Sequence, residues 1–201
     1  MKKLFLFLAL FSCTTFWSQT HKQVIQTYLE AHKSTWQLTP ADISDWTLDS
    51  EVYAEGTRLT SCYIVQNFHG ISVFNAISTV AIKDNSVFQL ANNFKSNIDQ
   101  KTNTTQAQLT VDQAALLVYQ KLQIAQSTSF AVLETLPHHK FKLSDGIQED
   151  PISAQLVYQS MPNEQLRLAW YFQFYSPDAK HLWDLRIDAA NGSILEQNDL
   201  M

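Results

Sequence analysis

The feature that most constrains the fold is a change of period. From Trp46 onward apolar residues recur at every second position, and the clearest stretch is "RLTSCYIVQNFHGISVFNAISTVAI", residues 58–82. Here two runs rich in β-branched and aromatic residues flank a His-Gly pair, which is the pattern of paired strands rather than of a helix. Two strands joined by two residues, the second a glycine, read as a hairpin with a primed turn. Such a turn needs positive φ at both central positions. Gly70 meets this without cost, and histidine is among the few other residues tolerated there. His69 therefore reads as a turn residue, not as a base or a ligand. Asn75 interrupts the pattern, because it shares a face with Ile71, Val73 and Ile77. It is either buried and hydrogen-bonded, or turned outward by a bulge.

The rest of the chain extends this reading on both sides. Residues 21–36, "HKQVIQTYLEAHKSTW", place Val24, Ile25, Tyr28, Leu29 and His32 on one helical face. Thr39 and Pro40 then suit the N-cap and first position of a short helical turn. Strands are expected over "WTLDSEVYAE", the two runs of the hairpin, and "VFQLANNF", which make an antiparallel meander up to about residue 94. Residues 95–108 are polar and read as a linker. "LTVDQAALLVYQKL" opens a second helix. Thr110 and Gln113 form its capping box, and Val111, Ala114, Ala115, Val118 and Leu122 form its buried stripe. Further strands are expected at 129–136, 152–160 and 165–175, then in "HLWDLRIDA" and "SILEQ". "PHHKFKLSDGIQEDP" reads as an irregular connection. No βαβ alternation occurs. The fold class is therefore α+β, with two small modules, each a helix packed on a curled antiparallel sheet.

The N-terminus, "MKKLFLFLALFSCTTFWSQT", has Lys2 and Lys3, an apolar run from Leu4 to Phe11, and then small and polar residues. This is the pattern of a secretory signal, too short in its apolar part to span a bilayer, with cleavage expected near Ser18 or Gln19. The expected organisation is thus a signal peptide at 1–19, a first module at 20–96, a linker at 97–108 and a second module at 109–201. The alternative within "LFSC" is a lipid anchor on Cys13. Ordinary cleavage leaves Cys62 as the sole cysteine, without an internal disulfide partner and within a strand, as a buried thiol. No later segment approaches the length of a membrane helix. The net charge of -5, without a basic cluster, argues against nucleic acid.

Reactive constellations are absent from the sequence. The four glycines, Gly56, Gly70, Gly146 and Gly192, are scattered, so neither a phosphate-binding loop nor a dinucleotide fingerprint can form. There is no HExxH motif, no cysteine pair at metal spacing and no glycine-flanked nucleophilic serine. His138-His139 is the one histidine cluster, and neighbours on a strand point to opposite faces. His32 reads as a histidine at the edge of the core, and His181 as packing on an aromatic sheet. Asp184, Arg186 and Asp188 read as a surface ladder of alternating charge. Accordingly no catalytic, cofactor-binding or metal-ligating residue is assigned.

Against this background two hairpins resemble a known family. Gln66-x-x-x-Gly70, followed by Val73, Phe74, Asn75 and Ala76 and then by Asn93 and Phe94, is similar to the FTP propeptide module of fungalysin and thermolysin precursors. Where the family usually has Asn before the glycine, this chain has His69. The second half, with "LTVDQAALLVYQKL" and the closing Asp188-Ala189-x-x-Gly192-x-Ile194-Leu195, resembles the PepSY-like part of the same pro-regions. The resemblance covers residues from about 21 to the end. It implies cystatin-like or PepSY-like modules and a non-enzymatic pro-region that assists folding of a secreted zinc metallopeptidase and blocks its cleft. The partner is then the peptidase catalytic domain, in cis or in trans. Zinc and the catalytic residues belong to that domain, which this chain lacks. The alternative is a free-standing secreted or envelope module that inhibits proteases or binds another ligand.

Overall fold

The computed structural model describes residues 13–124 and 129–201, with side chains from residue 21. Lys2, Lys3 and the Leu4–Phe11 run of the expected signal lie outside these residues, as does the side chain of Cys13. The chain forms two compact units. Unit 1 takes residues up to Gln66 together with Ile77–Ser96, and unit 2 takes Asn67–Ala76 together with Asn97–Met201.

In unit 1, helix α1 (Cys13–His32) runs into a 3-10 turn at Lys33–Trp36 and then helix α2 (Pro40–Ser44). α2 starts as its sequence dictates. Thr39 Oγ1 accepts from Asp42 N–H, and the Asp42 carboxylate accepts from Thr39 N–H at 2.7 Å, which satisfies two donors that a helix start leaves open. Strands β1 (Trp46–Ala54), β2 (Leu59–Phe68), β3 (Ile71–Lys83) and β4 (Ser86–Ala91) follow. Ile25 and Leu29 of α1 pack with Ile43, Trp46, Cys62, Ile64, Val80, Ile82 and Phe94 into one buried cluster. Helix on sheet is therefore the arrangement of this core. His32 stacks on Tyr28 with ring centroids 3.9 Å apart, at the edge of the core as its helical face implied.

In unit 2, helices α3 (Ile98–Lys101) and α4 (Val111–Lys121) precede strands β5 (Ala131–Leu136), β6 (Lys140–Ser144), β7 (Ile152–Ser160), β8 (Leu166–Tyr175), β9 (Leu182–Asp188) and β10 (Ile194–Asp199). The α4 stripe Val111, Ala114, Ala115 and Val118 packs on Leu156, Leu168, Phe172, Leu185 and Ile187 of the sheet. Thr110 N–H donates to Gln113 Oε1 at 3.1 Å, the reciprocal bond of the capping box. Residues 97–108, expected as a linker, are built into this unit. Ile98 is buried, and the N–H groups of Gln108 and Leu109 both donate to the Ala189 carbonyl. Polarity misled the reading there, since the stretch is held through its backbone rather than through apolar side chains. Likewise β6 lies inside the stretch expected to be an irregular connection, and pairs with both β5 and β7.

The expected α+β class holds. Among the described residues pairing is mostly antiparallel, but Ser72 and Val73 of β3 run parallel to Val157 and Tyr158 of β7, and an isolated parallel bridge joins Thr102 to Leu166. The hydrogen-bond ladder runs β1-β2-β3-β7-β8-β9-β10, with β4 on β3 and β5–β6 joined at β7. Ten strands on one ladder replace the pair of separate small sheets expected, because β2 and β3 each give residues to both units. Among the described residues no helix is long and apolar enough to cross a membrane.

Candidate functional site

The motif residues fall where backbone geometry is unusual. His69 and Gly70 have φ of 51° and 75°, so the turn is of the primed kind that the sequence demanded. Asn75 has φ of 60° and is exposed, which resolves its ambiguity in favour of a bulge. Before it Ile71 and Val73 are buried; after it Ala76, Ser78, Val80 and Ile82 are, so the inward phase shifts by one residue at Asn75. Phe74 packs its ring 5.1 Å from that of Tyr171. Gln66 is fully buried in unit 1. Its Nε2 donates to the carbonyls of Asp42 and Lys95 at 2.9 and 2.8 Å, and its Oε1 accepts from Lys95 N–H at 2.7 Å.

The closing hairpin is built around Asp188. Its Oδ1 accepts from the N–H groups of Ala190 and Asn191 at 2.8 and 3.2 Å, and its Oδ2 accepts from Arg167, with Nε at 3.0 Å. Ala189 is fully buried and Gly192 has φ of 71°. That φ is what calls for a glycine; a Cβ on Gly192 would also stand 2.6 Å from Leu117 Cδ1 of α4, so the leucine methyl would have to move aside. Asp188 and Arg186 are both buried, which corrects the surface-ladder reading. Arg186 pairs with Asp184 and Glu196 and lies over the Phe74 ring at 4.4 Å, whereas Asp188 turns to Arg167 across the sheet. Gln66, Asn93 and Phe94 thus lie in unit 1 and the other motif residues in unit 2, and they serve turns, a bulge, a buried polar bond or the apolar core.

The histidines are explained locally as well. Pro137, His138 and His139 form the three-residue turn between β5 and β6, with φ of 60° and 54° at the two histidines. His181 Nδ1 lies 2.6 Å from Asp199 Oδ2, and its ring stacks on Trp183. His21 differs from these. Its Nδ1 lies 2.6 Å from Glu51 Oε2, and a ring nitrogen of His21, a carboxylate oxygen of Glu51 and Cys62 Sγ all lie within 4.8 Å of one another. Burial, and then the charge of Glu51, push the Cys62 thiol up to about 11. Sequence reasoning missed this group because its members come from three elements. One exposed surface also stands out. Among the described residues β5 pairs with β6 alone, and Val132 and Leu133 on it are 46% and 61% exposed.

No protein-family model matches the chain, and no curated protein does. Among solved structures, the chain is similar to the Bacillus megaterium YpeB C-terminal domain at 9% identity and a TM-score of 0.38, over 91% of this chain. The chain spans 65% of the length of that structure, and a likeness of this degree carries no argument about activity.

A buried polar group in unit 2 gives the protein an acid-sensitive element. Asp145 Oδ2 accepts from the Tyr119 hydroxyl at 2.7 Å and from Gln148 Nε2 at 3.1 Å, and its Oδ1 accepts from the N–H groups of Ile147 and Gln148, each at 2.9 Å. Burial on its own raises the carboxyl pKa. The bonds from Gln148, Ile147 and Tyr119 outweigh it, so the Asp145 carboxyl titrates below its ordinary range. A depressed folded pKa stabilises the protein above the unfolded pKa of about 3.9, and that stabilisation fades as pH falls through the folded value. Asp145→Asn should therefore lower stability at pH 7 by about 1–3 kcal/mol. The gap to the unaltered protein should narrow below about pH 4. Urea midpoints at pH 7 and pH 3 check this, and a gap of constant size would refute it.

Proposed function

We propose that this chain is an exported, non-catalytic pro-region-type module that assists the folding of a secreted zinc metallopeptidase of the fungalysin or thermolysin kind and holds it inactive. The observation that carries the reading is the edge strand β5, which pairs on one side only and presents Val132 and Leu133 outward. An open edge with exposed apolar side chains offers main-chain bonds and side-chain anchors to an extended surface of a partner, and needs no chemistry of its own. Two further features support it. The residues that resemble such pro-regions serve turns, a bulge, the Gln66 backbone clamp and the apolar core, and the N-terminal sequence has the pattern of a secretory signal. Export would also place the chain where a secreted peptidase folds.

The test is to refold the zinc metallopeptidases secreted by the same host from denaturant, with and without this chain, and to follow casein hydrolysis. The expected result is a higher yield of folded peptidase and slow hydrolysis while the chain stays intact. Val132→Lys with Leu133→Glu, both on the exposed strand, should abolish inhibition without unfolding the chain. Equal yield and equal rate with and without the chain would overturn the proposal.

A further inference from the structure

We propose that His21, Glu51 and Cys62 form a divalent-metal site in unit 1, suited to zinc, that ties α1 to the β1–β2 hairpin. This does not depend on the function proposed above. The argument starts from register. Leu48 pairs with Ile64, but Ser50 pairs with Tyr63 and Glu51 with Cys62, so β1 carries one extra residue between Leu48 and Ser50. Regular pairing from Leu48 would place Ser50 opposite Cys62 and turn Glu51 to the other face. The bulge instead sets Glu51 directly across from Cys62, where cross-strand side chains lie on one face in contact range. Cys62 belongs to the buried cluster that α1 covers, and so a carboxylate is aimed at the helix-covered side of the sheet. His21 of α1 meets it there, at 2.6 Å.

The donors make a coherent set. An imidazole nitrogen, a carboxylate oxygen and a thiolate sulfur are the three ligand types that zinc takes. Zinc bond lengths imply ligand atoms about 3.3–3.6 Å apart in a tetrahedron. The atoms here all lie within 4.8 Å of one another, and the imidazole and carboxylate, 2.6 Å apart, must part slightly to admit the ion. Charge balances too. Zinc displaces the Cys62 proton to solvent, and a divalent ion with one thiolate and one carboxylate is neutral, as burial requires. The neutral imidazole binds through one ring nitrogen and carries its proton on the other. The Glu51 side chain is 27% exposed, which leaves a side open for entry and for a water as fourth ligand. A protonated His21 paired with Glu51 above an idle thiol is the competing arrangement.

The two differ in measurable ways. The full chain is stripped with chelator and titrated with zinc against a chromophoric competitor. We expect one zinc per chain. Glu51→Gln and Cys62→Ala should each weaken binding at least about tenfold, since even groups behind the ligands cost that much. His181→Ala, at a histidine away from the site, should leave it unchanged. Cobalt in place of zinc should show thiolate-to-metal charge-transfer absorption that Cys62→Ala abolishes. If Cys62→Ala fails to fold by circular dichroism, His21→Gln and Glu51→Gln carry the affinity comparison, and unaltered protein carries the cobalt band. Absence of bound zinc, binding indifferent to Glu51 and His21, or cobalt binding without the thiolate band would each overturn the proposal.

Discussion

Gln66→Ala should lower the stability of the protein by about 3–5 kcal/mol, among the largest single-residue losses. The side chain is fully buried, and all three of its polar bonds go to backbone: two carbonyls, of Asp42 and Lys95, and the Lys95 N–H. Alanine leaves these three groups short of a partner and adds a cavity. No other side chain can replace the clamp, because only a terminal amide presents two donors and an acceptor together at this reach. Gln66→Glu sharpens the test. The glutamate keeps the acceptor for Lys95 N–H but faces two carbonyls with a second oxygen, so it must hold a proton to bond one of them and leaves the other unmet. Its folded pKa then rises above the unfolded value of about 4.3, and its stability falls as pH climbs between the two. Urea denaturation should show Gln66→Glu at least as weak as Gln66→Ala at pH 7 and partly restored near pH 4. A loss under about 1 kcal/mol for Gln66→Ala would show that water replaces the amide there.

What was legible in the sequence is what short-range chemistry decides. The His69-Gly70 turn, the Thr110 and Gln113 cap and the Thr39 and Pro40 helix start are each set by two to four adjacent residues, and all stand as read. The class of fold followed from the change of period at Trp46. What escaped depends on register or on distant backbone. Pro137-His138-His139 turns β5 into β6 without the Gly or Asn that signals a hairpin turn, so β6 passed as a connection. The 97–108 stretch has few apolar side chains, yet it is fastened by Asn103 Oδ1 accepting from Leu168 N–H and by the Ala189 carbonyl. Asn75 announced its bulge by breaking an apolar face, whereas the bulge before Ser50 lies in "LDSEVYA", where nothing apolar is displaced. The meeting of His21, Glu51 and Cys62 hangs on that second bulge. Their separations of 30 and 11 residues match no local motif, and no period of two or 3.6 brings them together.

Asp188→Ala should cost as much as the Gln66 change, about 3–5 kcal/mol, for an electrostatic reason. The Asp188 side chain is fully buried while that of Arg167 is 38% exposed, so the carboxylate is the partner that burial would penalise without its bonds. Four donors converge on it: the guanidinium of Arg167 through two nitrogens, and the N–H groups of Ala190 and Asn191 that begin the turn to Gly192. Alanine frees two turn N–H groups and strands the inner side of the guanidinium. Asp188→Asn separates these contributions. Its Oδ1 can still accept both turn N–H groups, but its amide nitrogen meets a guanidinium, donor against donor, so it should lose about 2–3 kcal/mol rather than recover fully. Arg167→Gln removes the clash from the other side. The double variant Arg167→Gln with Asp188→Asn should therefore lose less than the two single losses added, with a coupling of at least about 1 kcal/mol. Simple additivity would mean that the turn N–H groups alone hold Asp188 in place. Arg186, two residues away on the same face, should leave this coupling untouched when changed to Met, because its carboxylate partners are Asp184 and Glu196.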